Sequence, residues 1–159
     1  MAWRAQANSC YNASKGEMAM GFSNSGHVKP VKYSVEAQQD DPVMQFTMCL
    51  LHSVTNAHIL HLSTQSYAEH KALEGFYTEI GDLVDSFVES FQGKFGLLHD
   101  YIADYKLPGQ PVAYLTYLKD EVQTLRRAPN FPQDTELQNI VDEIADLINS
   151  TIYKLRFLK

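Results

Sequence analysis

The stretch HKALEGFYTEIGDLVDSFVESFQGKFG, residues 70–96, decides how the chain folds. Leu73, Phe76, Tyr77, Ile80, Leu83, Val84, Phe87, Val88 and Phe91 recur at steps of three and four, the period of one apolar helix face. Gly93 is the predicted stop. A second stripe borders the apolar one: His70, Glu74, Gly81, Asp85, Glu89 and Gln92. Asp85 and Glu89 are one turn apart and share a side. His70 is fifteen residues before Asp85, about 22 Å along a helix that rises roughly 1.5 Å per residue. Imidazole and carboxylates therefore sit at opposite ends of one rod.

The flanking sequence repeats the helical pattern. Pro42 suits the first turn of a helix capped by Asp40 or Asp41. Val43, Phe46, Leu50, Val54, Ala57 and His61 then mark one face as far as Thr64. Tyr114, Leu115, Leu118, Val122 and Leu125 predict a third helix, closed by RRAPNFP (126–132). Asp134 or Thr135 caps a fourth, with Leu137, Ile140, Val141, Ile144, Leu147, Ile148 and Leu155 inward. LLHDYIADY (97–105) reads as a short connecting helix before the KLPGQP loop. Strand patterns are absent, so the expectation is an all-α bundle of four helices over residues 41–159.

Residues 1–40 differ. They are rich in Ser, Asn, Gly and Gln and keep no helical or strand period, which predicts an extended arm. Such a segment buries too little surface to offset its ordering entropy, so it is expected to lie on its own bundle, on neighbouring subunits or on a larger assembly.

Composition narrows the classes. No run approaches the ~18 apolar residues that a membrane span requires. The opening MAWRAQANSC has no continuous apolar stretch of the secretory kind. Two cysteines make no disulfide framework, which favours a reducing compartment. The formal net charge is -6, which opposes a protein built to grip nucleic acid. Within residues 1–32, Arg4, Lys15, Lys29 and Lys32 against Glu17 make the start mildly basic and leave the remainder acidic.

Metal chemistry is the sharpest candidate function. No histidine has a glutamate three residues before it, so the Glu-x-x-His pairs of an in-bundle di-iron site are missing. Glu136, Asp142, Glu143 and Asp146 point away from the fourth helix's apolar stripe. His61 falls on the inward side of the first helix. A buried imidazole must place both ring nitrogens, through hydrogen bonds or a metal. His58 lies off that face and His52 on the polar side. The turn between the first two helices brings His61 and His70 together, but Asp85 and Glu89 cannot join them within one chain. They converge only if a second copy packs antiparallel along the second helix.

This pattern resembles the second helix of the Dps-type miniferritins of the ferritin-like superfamily: the His, the following Leu–acid–Gly–Phe, and an Asp-x-x-x-Glu further along. The version HLSTQSYAEHKAL (61–73) is closer still to a ferritin-like group encoded by tailed bacteriophages. The resemblance implies a ferritin-like four-helix bundle and a metal site at a two-fold interface. His70 takes the place of the family's second histidine, Asp85 that of its bridging aspartate and Glu89 that of its glutamate. His61 or His58 stands for the first histidine, and Glu74 is a further candidate ligand. Three departures stand out. His61 and His70 are closer together than the family's pair, whereas His58 and His70 have its spacing. Leu62 replaces a Trp, and Ser90 an Arg.

Two functions compete. One is a Dps-like iron-binding protein of phage origin that holds Fe(II)/Fe(III) between subunits, passing electrons to peroxide or oxygen as a ferroxidase. The other is a structural virion or capsid-associated protein, with the bundle as scaffold and residues 1–40 as tether. Both place the chain in the host cytoplasm or the virion, as a homo-oligomer without a membrane partner. Nucleic-acid binding through the arm is the third and least supported reading.

Overall fold

The computed structural model describes residues 41–99, 101 and 109–158; the predicted arm and most of the predicted connecting helix lie outside them. Four helices appear in order: α1 Pro42–Ser63, α2 Tyr67–Phe95, α3 Pro111–Leu125 and α4 Thr135–Phe157. No strand occurs among the described residues.

Local chemistry sets the ends. Asp41 caps α1, its Oδ1 accepting from the Val43 amide at 2.9 Å and the Met44 amide at 3.4 Å, and Pro42 takes the first turn, where its missing N–H costs nothing. Ser66 caps α2 by accepting from the Glu69 amide at 3.3 Å. The predicted stop at Gly93 is corrected: α2 continues to Phe95 and ends at Gly96. Gly96 has φ 101°, a conformation that costs an L side chain energy but not glycine. Leu97–His99 are not helical, so the connecting helix does not begin where the pattern placed it.

Side-chain pairs give the helix directions. Lys94, late in α2, bonds Asp134 at 2.6 Å and Glu136 at 2.7 Å at the start of α4. Arg126, just after α3, bonds Gln138 and Asp142 early in α4 at 2.8 Å each. At the other end Arg156 donates to Thr116 at 3.4 Å. Hence α1 runs up, α2 down, α3 down and α4 up. α2 therefore ends at the bottom of the bundle and α3 begins at its top. α1 packs on α2 and α3, and α4 packs on the same two, so α1–α4 and α2–α3 are the diagonals.

The core is the predicted apolar set. Phe46, Leu50, Leu73, Phe76, Ile80, Phe87, Leu115, Leu118, Leu137, Ile144 and Ile148 are all essentially sealed from solvent. At the lower end the rings of Phe46, Phe87 and Phe131 meet at centroid distances of 4.8, 5.2 and 5.8 Å. α1 is buried more widely than a single face. Met44 and Met48 lie under Leu98 of the crossover, and Thr47, Ser53 and Asn56 are also buried. Thr47 Oγ1 and Asn56 Oδ1 have no hydrogen-bond partner. The Asn56 amide nitrogen does donate to the Tyr114 hydroxyl at 3.0 Å.

One carboxylate on α3 opposes folding near neutrality. Burial pushes the Glu121 carboxyl above its usual range; the Tyr117 hydroxyl that donates to it pulls less strongly the other way, and Asp120 adds to the rise. A carboxyl raised in the folded state contributes most favourably below its unfolded value, and that contribution is lost as pH rises through the folded value. Glu121→Gln should therefore raise Tm near neutral pH and have almost no effect at about pH 4, where the carboxyl is largely protonated. Paired thermal melts at both pH values measure this, and an equal shift at both contradicts it.

Candidate metal-binding corner

The corner between α1 and α2 is built from three residues, Thr64–Ser66. The Thr64 amide closes α1 on the Leu60 carbonyl at 3.1 Å, and the Thr64 hydroxyl donates to Glu69 Oε2 at 2.5 Å. This short connection sets the last turn of α1 against the first turn of α2, and so His61 against His70. The two imidazoles stack at a centroid distance of 3.6 Å with 27° between their planes. His61 is buried at 7% exposure and His70 is half-buried.

Each ring also bonds the other residue's backbone. His61 Nδ1 lies 2.9 Å from the His70 carbonyl oxygen, and His70 Nδ1 lies 3.2 Å from the His61 carbonyl oxygen. A carbonyl oxygen only accepts, so both Nδ1 atoms carry the proton. The His61 carbonyl belongs to the terminal turn of α1, where a helix leaves acceptors without an internal donor. In the neutral rings both Nε2 atoms are therefore unprotonated, with in-plane lone pairs. Donation by the second ring nitrogen to a carbonyl is the usual support of a metal-ligating histidine. Because the rings are stacked with 27° between their planes, their in-plane lone pairs lie in two separate layers rather than meeting at one point. Each ring suits its own ion, or one ring must turn.

The remaining candidates divide clearly. Glu74, one turn beyond His70, is bonded to Lys71. That ammonium holds the Glu74 carboxyl below the usual carboxylate range, with smaller contributions from the histidines. His58 is exposed and stacks on Tyr77 at 4.4 Å with 18° between planes. It lies 5.8 Å from His61, centroid to centroid. Asp85 and Glu89 are exposed on the lower half of α2. Because α2 is one unbroken helix of 29 residues, the separation of about 22 Å between His70 and Asp85 stands. Among the described residues no three His, Cys, Asp or Glu side chains gather where they could hold one metal ion.

Two further features bear on the site. Gln92, on the same predicted border stripe, accepts from the Leu98 amide at 3.0 Å and anchors the crossover. An open groove of about 570 Å³ between α2 and α4 is lined by Glu79, Asp82, Asp142, Glu143 and Asp146 over Leu83 and Leu147. It shares no residue with the histidine corner. Tyr77 was not singled out from sequence beyond the apolar stripe. Its place two turns after His70 was the available signal, since residues seven apart share a side. No described helix is long and apolar enough to cross a membrane.

A family model described as "Family of unknown function (DUF5856)" matches residues 61–155. A relative from Enterobacteria phage T4, the "Uncharacterized 14.6 kDa protein in mobD-ri intergenic region", is 28% identical over 100 residues, which cover 62% of this chain and 75% of the relative. No solved structure matches the chain.

Proposed function

Since the chain belongs to the family of unknown function DUF5856, which leaves its activity open, we propose that it is a ferritin-like, Dps-like protein that binds iron between two copies of itself. The observation that carries this reading is the reciprocal pair of Nδ1–H···O=C bonds between His61 and His70. It leaves two nitrogen lone pairs ready in a partly sheltered corner. Two supports accompany it. The up-down-down-up course with one long crossover between α2 and α3 is the connectivity of ferritin-like bundles. Asp85 and Glu89 also lie where antiparallel pairing along α2 would bring them to a partner's histidines.

Imidazole and carboxylate donors suit Fe(II). In this reading iron is cargo and substrate. His61 and His70 would each hold an ion through Nε2, Asp85 and Glu89 of the second copy would complete the ligands, and Glu74 joins only by leaving Lys71. The test is equilibrium binding of Fe(II) under anaerobic conditions, combined with solution mass. The expected result is one or two ions per His61–His70 corner and loss of binding in His70→Ala. Wild-type protein that binds no more iron than His70→Ala overturns the reading.

A second reading, the virion-associated scaffold, is favoured by the apolar side chains left exposed at the helix ends. Leu62, Tyr67 and Phe157 are 71%, 79% and 68% exposed at the upper end. A scaffold assembles equally well in excess chelator and requires residues 1–40. A protein that loses its assembly to chelator alone excludes it.

A further inference from the structure

Four rings meet in a chain at the corner: His58 lies flat on Tyr77, Tyr77 and His61 make a T-shaped contact, and His61 lies on His70. The Tyr77–His61 contact has a centroid distance of 5.2 Å and an interplanar angle of 80°. Tyr77 is half-buried, and its other neighbour is the exposed ring of His58. One turn further along α2 is Gly81, which offers no side chain to steady the pair; a Cβ there would reach only Val54, at 4.0 Å.

An imidazole held by one hydrogen bond can still swing about its terminal torsion, which is broad for histidine. Swinging would break the Nδ1–H···O=C bond and so remove the acceptor that holds the proton on Nδ1. Besides His70, the rings that crowd His61 and hinder this swing are Tyr77, at 5.2 Å and 80°, and His58, further off at 5.8 Å and 63°. His58 in turn blocks the open face of Tyr77. Edge-to-face and offset ring contacts of this kind are directional as well as apolar.

We propose that Tyr77, backed by His58, is the positioning residue of the histidine pair, keeping both rings in the Nδ1–H form with Nε2 free. This rests on the metal-site reading for its purpose, though not for its test. On this assignment His58 is the outer leaf of the stack and not the first-histidine ligand that its spacing from His70 would suggest.

The test uses the full-length, metal-free protein at about pH 8, where imidazole in water is neutral. Nitrogen-15 shifts of the histidine rings read the tautomer directly. Wild type and Tyr77→Phe, which keeps the ring, should show His61 and His70 as Nδ1–H tautomers. Tyr77→Leu should show a mixture at His61. His58→Ala, which removes an exposed ring and leaves the core intact, should move His61 in the same direction by less. The wild-type tautomer pattern retained in both Tyr77→Leu and His58→Ala overturns the inference; if Tyr77→Leu does not fold, His58→Ala decides alone. Where Fe(II) binds the wild type, Tyr77→Leu should weaken it by roughly 10- to 100-fold, the usual cost of losing a ligand's support. A wild type that binds no iron removes the metal reading and leaves the tautomer result standing.

Discussion

Mixing His70→Ala protein with Asp85→Ala protein should restore about a quarter of the wild-type iron sites, although each variant alone binds almost none. The reason is the geometry of α2. When a site is composed of one copy's histidines and the other copy's carboxylates, both sites of either homodimer lack one ligand. In a heterodimer, one of the two sites collects both mutations and the other collects neither. Random exchange puts half of the molecules into heterodimers, each with one intact site of two. The two homodimers contribute none. An arrangement in which one chain supplies every ligand gives no recovery at any mixing ratio, because each chain then lacks a ligand of its own. Metal stoichiometry after unfolding the two variants together and refolding them measures the outcome. Recovery indistinguishable from zero, with exchange verified by differently tagged chains, removes the shared site. The expected loss in the single variants is large because an ion deprived of one donor keeps too few to displace its water. The same experiment separates the ligand candidates. His58→Ala mixed with Asp85→Ala should behave like Asp85→Ala mixed with wild type, since His58 supports the ring stack from outside.

Much of the four-helix layout is legible in the sequence, and the reasons are specific. The second helix declared itself through nine apolar positions at helical spacing, and its rigidity alone separated His70 from Asp85. Asp41 followed by Pro42 marked the start of α1 because the residue types match the needs of unpaired amides. Other features depended on contacts that periodicity does not encode. Met44, Met48, Thr47, Ser53 and Asn56 look like the outer side of α1 when one face is assigned inward. They are buried, and at Met44 and Met48 the cover is Leu98, brought there by the returning crossover. Gly93 and Gly96 are equivalent as letters, yet only Gly96 takes the positive φ that ends the helix. The closeness of His61 and His70 followed from the three-residue turn. Their tautomers did not, because these depend on where two backbone carbonyls fall relative to two rings. The same holds for Tyr77, which reads as core by spacing and turns out to be half-buried beside His61.

Phe131 shows the limit most clearly, and it leads to the largest stability effect expected here. It falls in RRAPNFP, whose prolines and asparagine read as a loop that merely closes α3. In the fold it is 4% exposed and its ring contacts both Phe46 and Phe87. The loop thus supplies a plug to the lower end of the bundle, where α1, α2 and the α3–α4 turn meet. Phe87 is the centre of this group: fully buried, 4.8 Å from Phe46 and 5.8 Å from Phe131. Phe87→Ala should cost about 3–5 kcal/mol, the usual sum of lost burial and residual cavity for a core Phe. For a chain of this size that lowers Tm by roughly 6–20 °C. Phe91, one turn later, is half-buried and touches Phe87 only at 6.5 Å, so Phe91→Ala should cost much less. Because the Phe87 and Phe131 rings pack on each other, the double variant should cost less than the two single changes added together, a departure of ~0.5 kcal/mol or more. Thermal melts of the three variants and the double mutant supply the cycle. Strict additivity would mean that Phe131 is not packed against Phe87, and the lower end of the bundle would then have to be closed by some other group.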